Sequence, residues 1–155
     1  MVEGQTVAEF AEEPGAGEFI IKAVSEETAV FNPHLTSSQL KEGITMDRND
    51  PTEIKDVNFS RLGIKALPEL FGHLKIDGSL NLQNNALTSL PESMGSMKVA
   101  EDLDLSFNAL TCLPASMGSI QVGGNLDLRD NNLRYPKPTK ADFPNVEGSV
   151  KEAGF

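Results

Sequence analysis

The side chains that could do chemistry in this chain are few and scattered. His34 and His73 are its only histidines and Cys112 its only cysteine. A zinc site needs several Cys, His or carboxylate ligands at short, fixed spacings. Neither histidine has a cysteine or a second histidine at such a distance, so both read as surface residues. Cys112 has no base in register to draw off its proton, and it reads as an unreactive thiol. Asn58-Phe59-Ser60 matches a glycosylation sequon, but that motif is short and weak. The Gly123-Gly124 pair has no lysine to complete a phosphate-binding loop. No catalytic set, cofactor site or metal site is expected, and the chain does not read as an enzyme.

The elements that would have to position any site are far more legible. Val57-Asn58-Phe59, Leu80-Asn81-Leu82, Leu103-Asp104-Leu105 and Leu126-Asp127-Leu128 recur every 23 residues. Ile64, Leu87, Leu110 and Leu133 keep the same phase, as do Leu67-Pro68, Leu90-Pro91 and Leu113-Pro114. Phe71-Gly72, Met94-Gly95 and Met117-Gly118 follow, then Leu74, Met97 and Ile120. Self-similarity at a fixed period of this length marks a repeat architecture. Within each unit the strand leucines alternate with polar residues, so they share one face of a short strand. A 23-residue return is too long for a hairpin and brings the next strand in parallel.

The columns spell L-x-L-x-x-N-x-L-x-x-L-P-x-x-φ-G-x-φ, with φ apolar, over about residues 54–133. This resembles a leucine-rich repeat of the 23-residue type found in intracellular scaffold proteins, such as the plant Ras-group and Ras-pathway adaptor families. The resemblance implies an α/β, strand-rich solenoid of about four units, with a parallel sheet on the concave face and irregular or short helical return segments. Asn85, Asn108 and Asn131 form a column after the strand, where an amide with both donor and acceptor can satisfy a tight turn. The first unit has Leu62 there instead. The Leu-Pro step favours extended backbone, and the glycine after φ suits a turn. One column departs from the family pattern. Three residues before the strand leucine only Ile54 is a large apolar residue; Asp77, Ala100 and Gly123 replace it, and the apolar residue shifts one place earlier to Ile76, Val99 and Val122. A shifted or looser lead-in to those strands is expected.

At 155 residues one domain is expected, organised as an N-terminal extension over 1–50, repeats over 51–135 and a tail over 136–155. A formal net charge of −10 argues against nucleic acid and anionic membrane as partners, and leaves a protein with a basic surface as the expected kind. No apolar run is long enough for a membrane span. The acidic start Met-Val-Glu-Gly-Gln and the single cysteine favour an intracellular, most simply cytoplasmic, setting, with an organelle as the alternative for a processed chain.

The extension breaks the pattern. Thr6 and Glu9 suit a capping box for a helix over about 7–13, Glu18 to Val24 has strand composition, and Thr36 with Gln39 suits a second short helix. Residues from about 30 onward are expected to cover the exposed edge of the first unit. A competing reading makes 1–25 an arm that reaches a partner subunit, anchored by Phe10, Phe19, Ile20 and Ile21. Beyond Leu133 the pattern stops, because Pro136 and Lys137 fall where Leu-Pro should recur, and the tail is expected to be mobile unless something holds it.

The outward face of the sheet is the default binding surface. Its rows are Asp56, Ser79, Asp102 and Asn125; Asn58, Asn81, Asp104 and Asp127; and Ser60, Gln83, Ser106 and Arg129. Asp104 and Asp127 should sit side by side with Asp102 close by, an acidic stripe suited to Lys or Arg from a partner and partly offset by Arg129. Four strands about 4.8 Å apart, each showing about four residues, give a flat patch of roughly 250 Å². That is well below the roughly 800 Å² per partner of a standard interface. The expectation is therefore a non-catalytic protein–protein interaction module, an adaptor or accessory subunit of a hetero-complex whose flanking segments take part. The rival is a regulatory or substrate-recognition subunit of an enzyme system, such as a ubiquitin ligase or phosphatase regulator.

Overall fold

The computed structural model describes residues 42–46, 48–49, 53–67, 69–134 and 138–151. The expected helices over 7–13 and 36–41, the strand over 18–24, the arm anchors Phe10, Phe19, Ile20 and Ile21, and His34 lie outside them. Among the described residues there are nine strands in one sheet, parallel except for the first. They are β1 (Ile44–Met46), β2 (Ile54–Asn58), β3 (Lys75–Ile76), β4 (Leu80–Asn81), β5 (Lys98–Val99), β6 (Leu103–Asp104), β7 (Gln121–Val122), β8 (Leu126–Asp127) and β9 (Val150–Lys151). The described residues also form four short 3-10 helices: η1 (Glu69–His73), η2 (Glu92–Ser96), η3 (Ala115–Ser119) and η4 (Lys140–Asp142).

The sheet consists of two parallel ladders that share β2. Val57, Leu80, Leu103 and Leu126 pair in sequence along β2-β4-β6-β8, the 23-residue period made visible as hydrogen bonding. Ile54, Ile76, Val99 and Val122 pair along β2-β3-β5-β7. This second ladder explains the shifted apolar column. From Ile54 to Val57 is three residues, whereas Ile76 to Leu80, Val99 to Leu103 and Val122 to Leu126 are four. The extra residue forces a bend between the two ladders at Asp77-Gly78, Ala100-Glu101 and Gly123-Gly124. What reads as a loose lead-in is a second, well-paired strand.

The inward residues of both ladders join one core. Phe59, Leu82, Leu105 and Leu128 are fully buried, as are Ile64, Leu87 and Leu110 one level deeper. Phe71, Met94 and Met117 close the core from the helix side, and the Phe59 and Phe71 rings meet edge to face at 6.0 Å. Helices η2 and η3 each begin after a proline in extended conformation, Pro91 at ψ 151° and Pro114 at ψ 147°. The helices stack through hydroxyls: Ser93 Oγ donates to the Glu69 carbonyl at 2.7 Å, and Ser116 Oγ to the Glu92 carbonyl at 2.5 Å. The helix glycines have a different cause from the one their turn-like setting suggests. A Cβ on Gly72 would strike the backbone of Ser93, and one on Gly95 the backbone of Ser116. Close approach of the next unit, not a left-handed backbone, demands glycine there.

The expected tail corrects the sequence reading. It is held, and it continues the stack with a 24-residue step: Leu126 pairs with Val150, Asp127 with Lys151, and Val122 bridges Val146. Pro138 therefore corresponds to Pro114, and one added residue after Leu133 hides the match from a 23-residue search. Thr139 and Asp142 form a capping box on η4, and the Lys140 ammonium donates to the Val146 carbonyl. Phe143 and Val146 are buried in the core. At the other end β1 runs antiparallel along β2, pairing Ile44 with Val57 and Thr45 with Asp56, and so occupies the edge of the first unit.

Asparagine amides bind the units together at the turn after each strand. Asn108 Oδ1 accepts the Leu87 amide at 3.1 Å, while its Nδ2 donates to the carbonyls of Leu82, Leu105 and Ser106 at 3.0–3.2 Å. Asn85 and Asn131 repeat the pattern one unit either side. Without the amide, partly buried backbone groups of two units are left unbonded, each at a cost of about 1–3 kcal/mol. Asn108→Ala is expected to lower unfolding free energy by about 3 kcal/mol, measured by chemical denaturation, and a loss under about 1 kcal/mol would contradict this role.

Candidate interaction face

Outward residues of the sheet fall into columns, and each column has a distinct local task. The first runs Asp56, Ser79, Asp102, Asn125. Asp56 Oδ1 accepts the Ser79 amide at 2.8 Å, and Ser79 Oγ accepts the Asp102 amide at 3.2 Å. Asp102 Oδ1 then accepts the Asn125 amide at 2.7 Å, and Asn125 Oδ1 the Ser149 amide at 2.8 Å. These are short side chains with an acceptor oxygen, and each holds the lead-in of the next unit. Their 23-residue recurrence as Asp, Ser, Asp and Asn is a signal the sequence carries, although there it reads as a surface row.

In the second column the side chain folds back on its own strand end. Asn58, Asn81, Asp104 and Asp127 each accept, through Oδ1, the amide two residues on, at 2.9–3.1 Å. These Asx turns end the strands. Asp104 Oδ1 also takes the Ser106 hydroxyl at 2.5 Å, and Ser106 is only 2% exposed. Ser106 is thus a correction to the expected contact residues: its hydroxyl is spent on Asp104 inside the fold and faces no partner. Ser60 and Gln83 in the same third column are half-buried, and Arg129 is exposed.

The residue after each Asx turn adopts a left-handed backbone: Arg61 (φ 59°), Asn84 (57°), Phe107 (55°) and Asp130 (57°). Asn and Asp tolerate this region, whereas a bulky residue pays about 1–2 kcal/mol for it. Phe107 is also the one large apolar side chain in the open among the described residues, at 51% exposure. Sequence reading passed over it because its column is polar elsewhere. Phe107→Asn is expected to raise stability by about 1 kcal/mol in a denaturant titration, with no gain counting against backbone strain at this position.

Asp104 and Asp127 are direct neighbours across β6 and β8, as the register predicts. Yet the acidic stripe is closed off on one side. Arg129 binds Asp127 in a fork, Nε to Oδ1 at 3.0 Å and Nη2 to Oδ2 at 2.8 Å, and Lys151 stands beside Asp127 in β9. Asp127 is 8% exposed. Its burial pushes its pKa up, but the hydrogen bonds and charge of Arg129, with help from Lys151, outweigh this and hold it below the usual aspartate value. Arg129 is held correspondingly more firmly protonated by Asp127, with Asp104 and Asp130 adding to the effect. A folded-state pKa below the unfolded one adds stability at neutral pH that is lost on acidification. The wild type should therefore exceed Asp127→Asn in stability at neutral pH, with the gap closing as pH falls below about 4. A gap independent of pH would contradict the ion pair.

Among the described residues no group of three His, Cys, Asp or Glu side chains is placed to hold a metal ion, and no helix is long and apolar enough to cross a membrane. His73 ends η1 on the exposed surface, and Cys112 is exposed on the return side. No protein-family model matches the chain, and no curated protein matches it.

Proposed function

We propose that this chain is a short leucine-rich-repeat array acting as a non-catalytic protein-binding module, an adaptor or accessory subunit of a larger assembly, with its outward face as the contact surface. The observation that carries the reading is the state of the polar side chains on that face. Two adjacent columns, eight residues from Asp56 to Asp127, are already tied down by hydrogen bonds within the fold. A partner meeting such a surface orders few new rotamers, at about 0.5–1.5 kcal/mol each, and so more of the contact energy appears as affinity. The surplus negative charge of Asp102, Asp104 and Asp130 beside Phe107 favours a basic partner with an apolar contact.

The backbone-capping role of these columns does not need a charge, because Asn already occupies them at Asn58, Asn81 and Asn125; only Asp127 also has an ion pair, with Arg129, to lose. Asp102→Asn, Asp104→Asn and Asp127→Asn together keep the Oδ1 acceptors while removing three charges. The triple variant is expected to stay folded and to lose partner capture from the native source by about tenfold or more, with reduced salt dependence. A photo-cross-linking residue at Gln83 should mark the same partner, and one at Ser96 on the helix side should not. Unchanged capture, or cross-links only from Ser96, would overturn the assignment.

A further inference from the structure

The second ladder of the sheet presents a face that is complementary to itself. Residues on either side of the buried Ile76, Val99, Val122 and Val146 point outward in two columns. Lys75, Lys98, Gln121 and Asn145 form the first column, and Asp77, Ala100, Gly123 and Glu147 the second. The fourth unit keeps the register: the Val122 amide donates to the Asn145 carbonyl at 3.2 Å, and the Glu147 amide to the Val122 carbonyl at 2.9 Å. Apart from the half-buried Asp77, these residues are exposed. Charge on the face balances in total but divides by column, with two lysines in the first and two acids in the second. The columns differ in height as well. Lys98 and Gln121 stand beside Ala100 and Gly123, which have almost no side chain, and an open groove of about 580 Å³ lies there. Among the described residues none of the four charged side chains makes a hydrogen bond or ion pair within the chain.

We infer that this face docks on a second copy of the same chain, ridge into groove, about a two-fold axis parallel to the stack. Residues i and i+2 of a strand lie on one face about 7 Å apart. A two-fold midway between the columns lays each column over the opposite column of the other copy, since such a contact uses one patch twice. Lys75 then meets the second copy's Asp77, and Asn145 its Glu147, while Lys98 and Gln121 lie over its Ala100 and Gly123. Successive strands stand about 4.8 Å apart in both copies, so a match in one unit carries through the others. Glu53 and Lys55 flank Ile54 as Lys75 and Asp77 flank Ile76, with the signs exchanged, and the same rotation sets them against each other. An acidic or a basic segment would suit one column and leave the other facing like charge. A second copy suits both. The face is only three strand spacings long, about 14 Å, so the dimer is weak and forms as concentration rises. This inference does not depend on the outward face and uses none of its residues.

The test is sedimentation velocity of the full chain from micromolar to millimolar concentration. The wild type is expected to pass from monomer to dimer, with the transition moving to higher concentration as salt rises toward about 0.5 M. Lys75→Asp sets carboxylate against carboxylate twice in the dimer, and Asp77→Lys sets ammonium against ammonium. Each should weaken self-association about tenfold or more. An equal mixture of these two variants should nevertheless associate at least as tightly as the wild type, because each copy then supplies one sign to both contacts. The mixture carries its own control, since misfolded chains would not regain association on mixing. Ala100→Phe, at an exposed position on the groove floor, should abolish the dimer. The triple Asp→Asn variant of the outward face should dimerise as the wild type does. A wild type that stays monomeric at millimolar concentration, single variants that self-associate like the wild type, or a mixture that fails to associate would overturn the inference. Loss of the dimer in the triple variant would overturn it too, by moving the contact to the outward face.

Discussion

An asparagine amide set between two successive repeat units is the interaction on which the remaining structure depends. Each strand contributes only two to five residues to the sheet before its chain turns away, too few to stand alone. The turn leaves backbone groups that neither the strand nor the return segment can bond. Asn85, Asn108 and Asn131 supply both the acceptor and the donors at that point, and they do so across the boundary between units. With the turn fixed, the strand leucines line up in one core, the helices stack close enough to require Gly72 and Gly95, and the outward columns fall into register.

The outward columns show how a repetitive scaffold limits the meaning of a surface residue. Asp102 and Asp104 carry charge, but each also performs a backbone task that a neutral residue performs in the neighbouring units. Asp127 adds a forked ion pair to the same task. Such positions combine architecture and recognition in one side chain, and the distinction becomes chemical: the oxygen acceptor belongs to the fold, the charge to whatever the face meets. Phe107 is the opposite case. Nothing in the fold asks for an aromatic ring on a left-handed backbone in the open.

Much of this arrangement was legible in the residues themselves. The parallel ladder through Val57, Leu80, Leu103 and Leu126 follows from period alone, as does the adjacency of Asp104 and Asp127. The bonding partners were not legible, because a column of short polar residues looks the same whether it faces solvent or caps a neighbour. Ser106 shows this most clearly, since only its geometry reveals that Asp104 takes its hydroxyl. The second ladder escaped because one residue more between Val99 and Leu103 than between Ile54 and Val57 reads as disorder in a motif and is in fact a bend. The continuation through Pro138, Phe143 and Val150 escaped for a similar reason: a single added residue shifts every later column while leaving the packing intact. Residues 1–41, where the proposed arm anchors lie, are outside the described structure.

The two polar ladders point in opposite directions along the chain. Asn85 reaches back to hold the turn of the unit before it, whereas Asp56 reaches forward to hold the first amides of the unit after it. Each interior coil is thus clamped by its predecessor at one end of the strand and by its successor at the other. Peeling a coil from either terminus exposes unbonded groups in the coil that remains, so fraying at an end is resisted by a neighbour that has not yet moved. The hydrogen bonds thus couple each repeat unit to its neighbours in both directions along the chain.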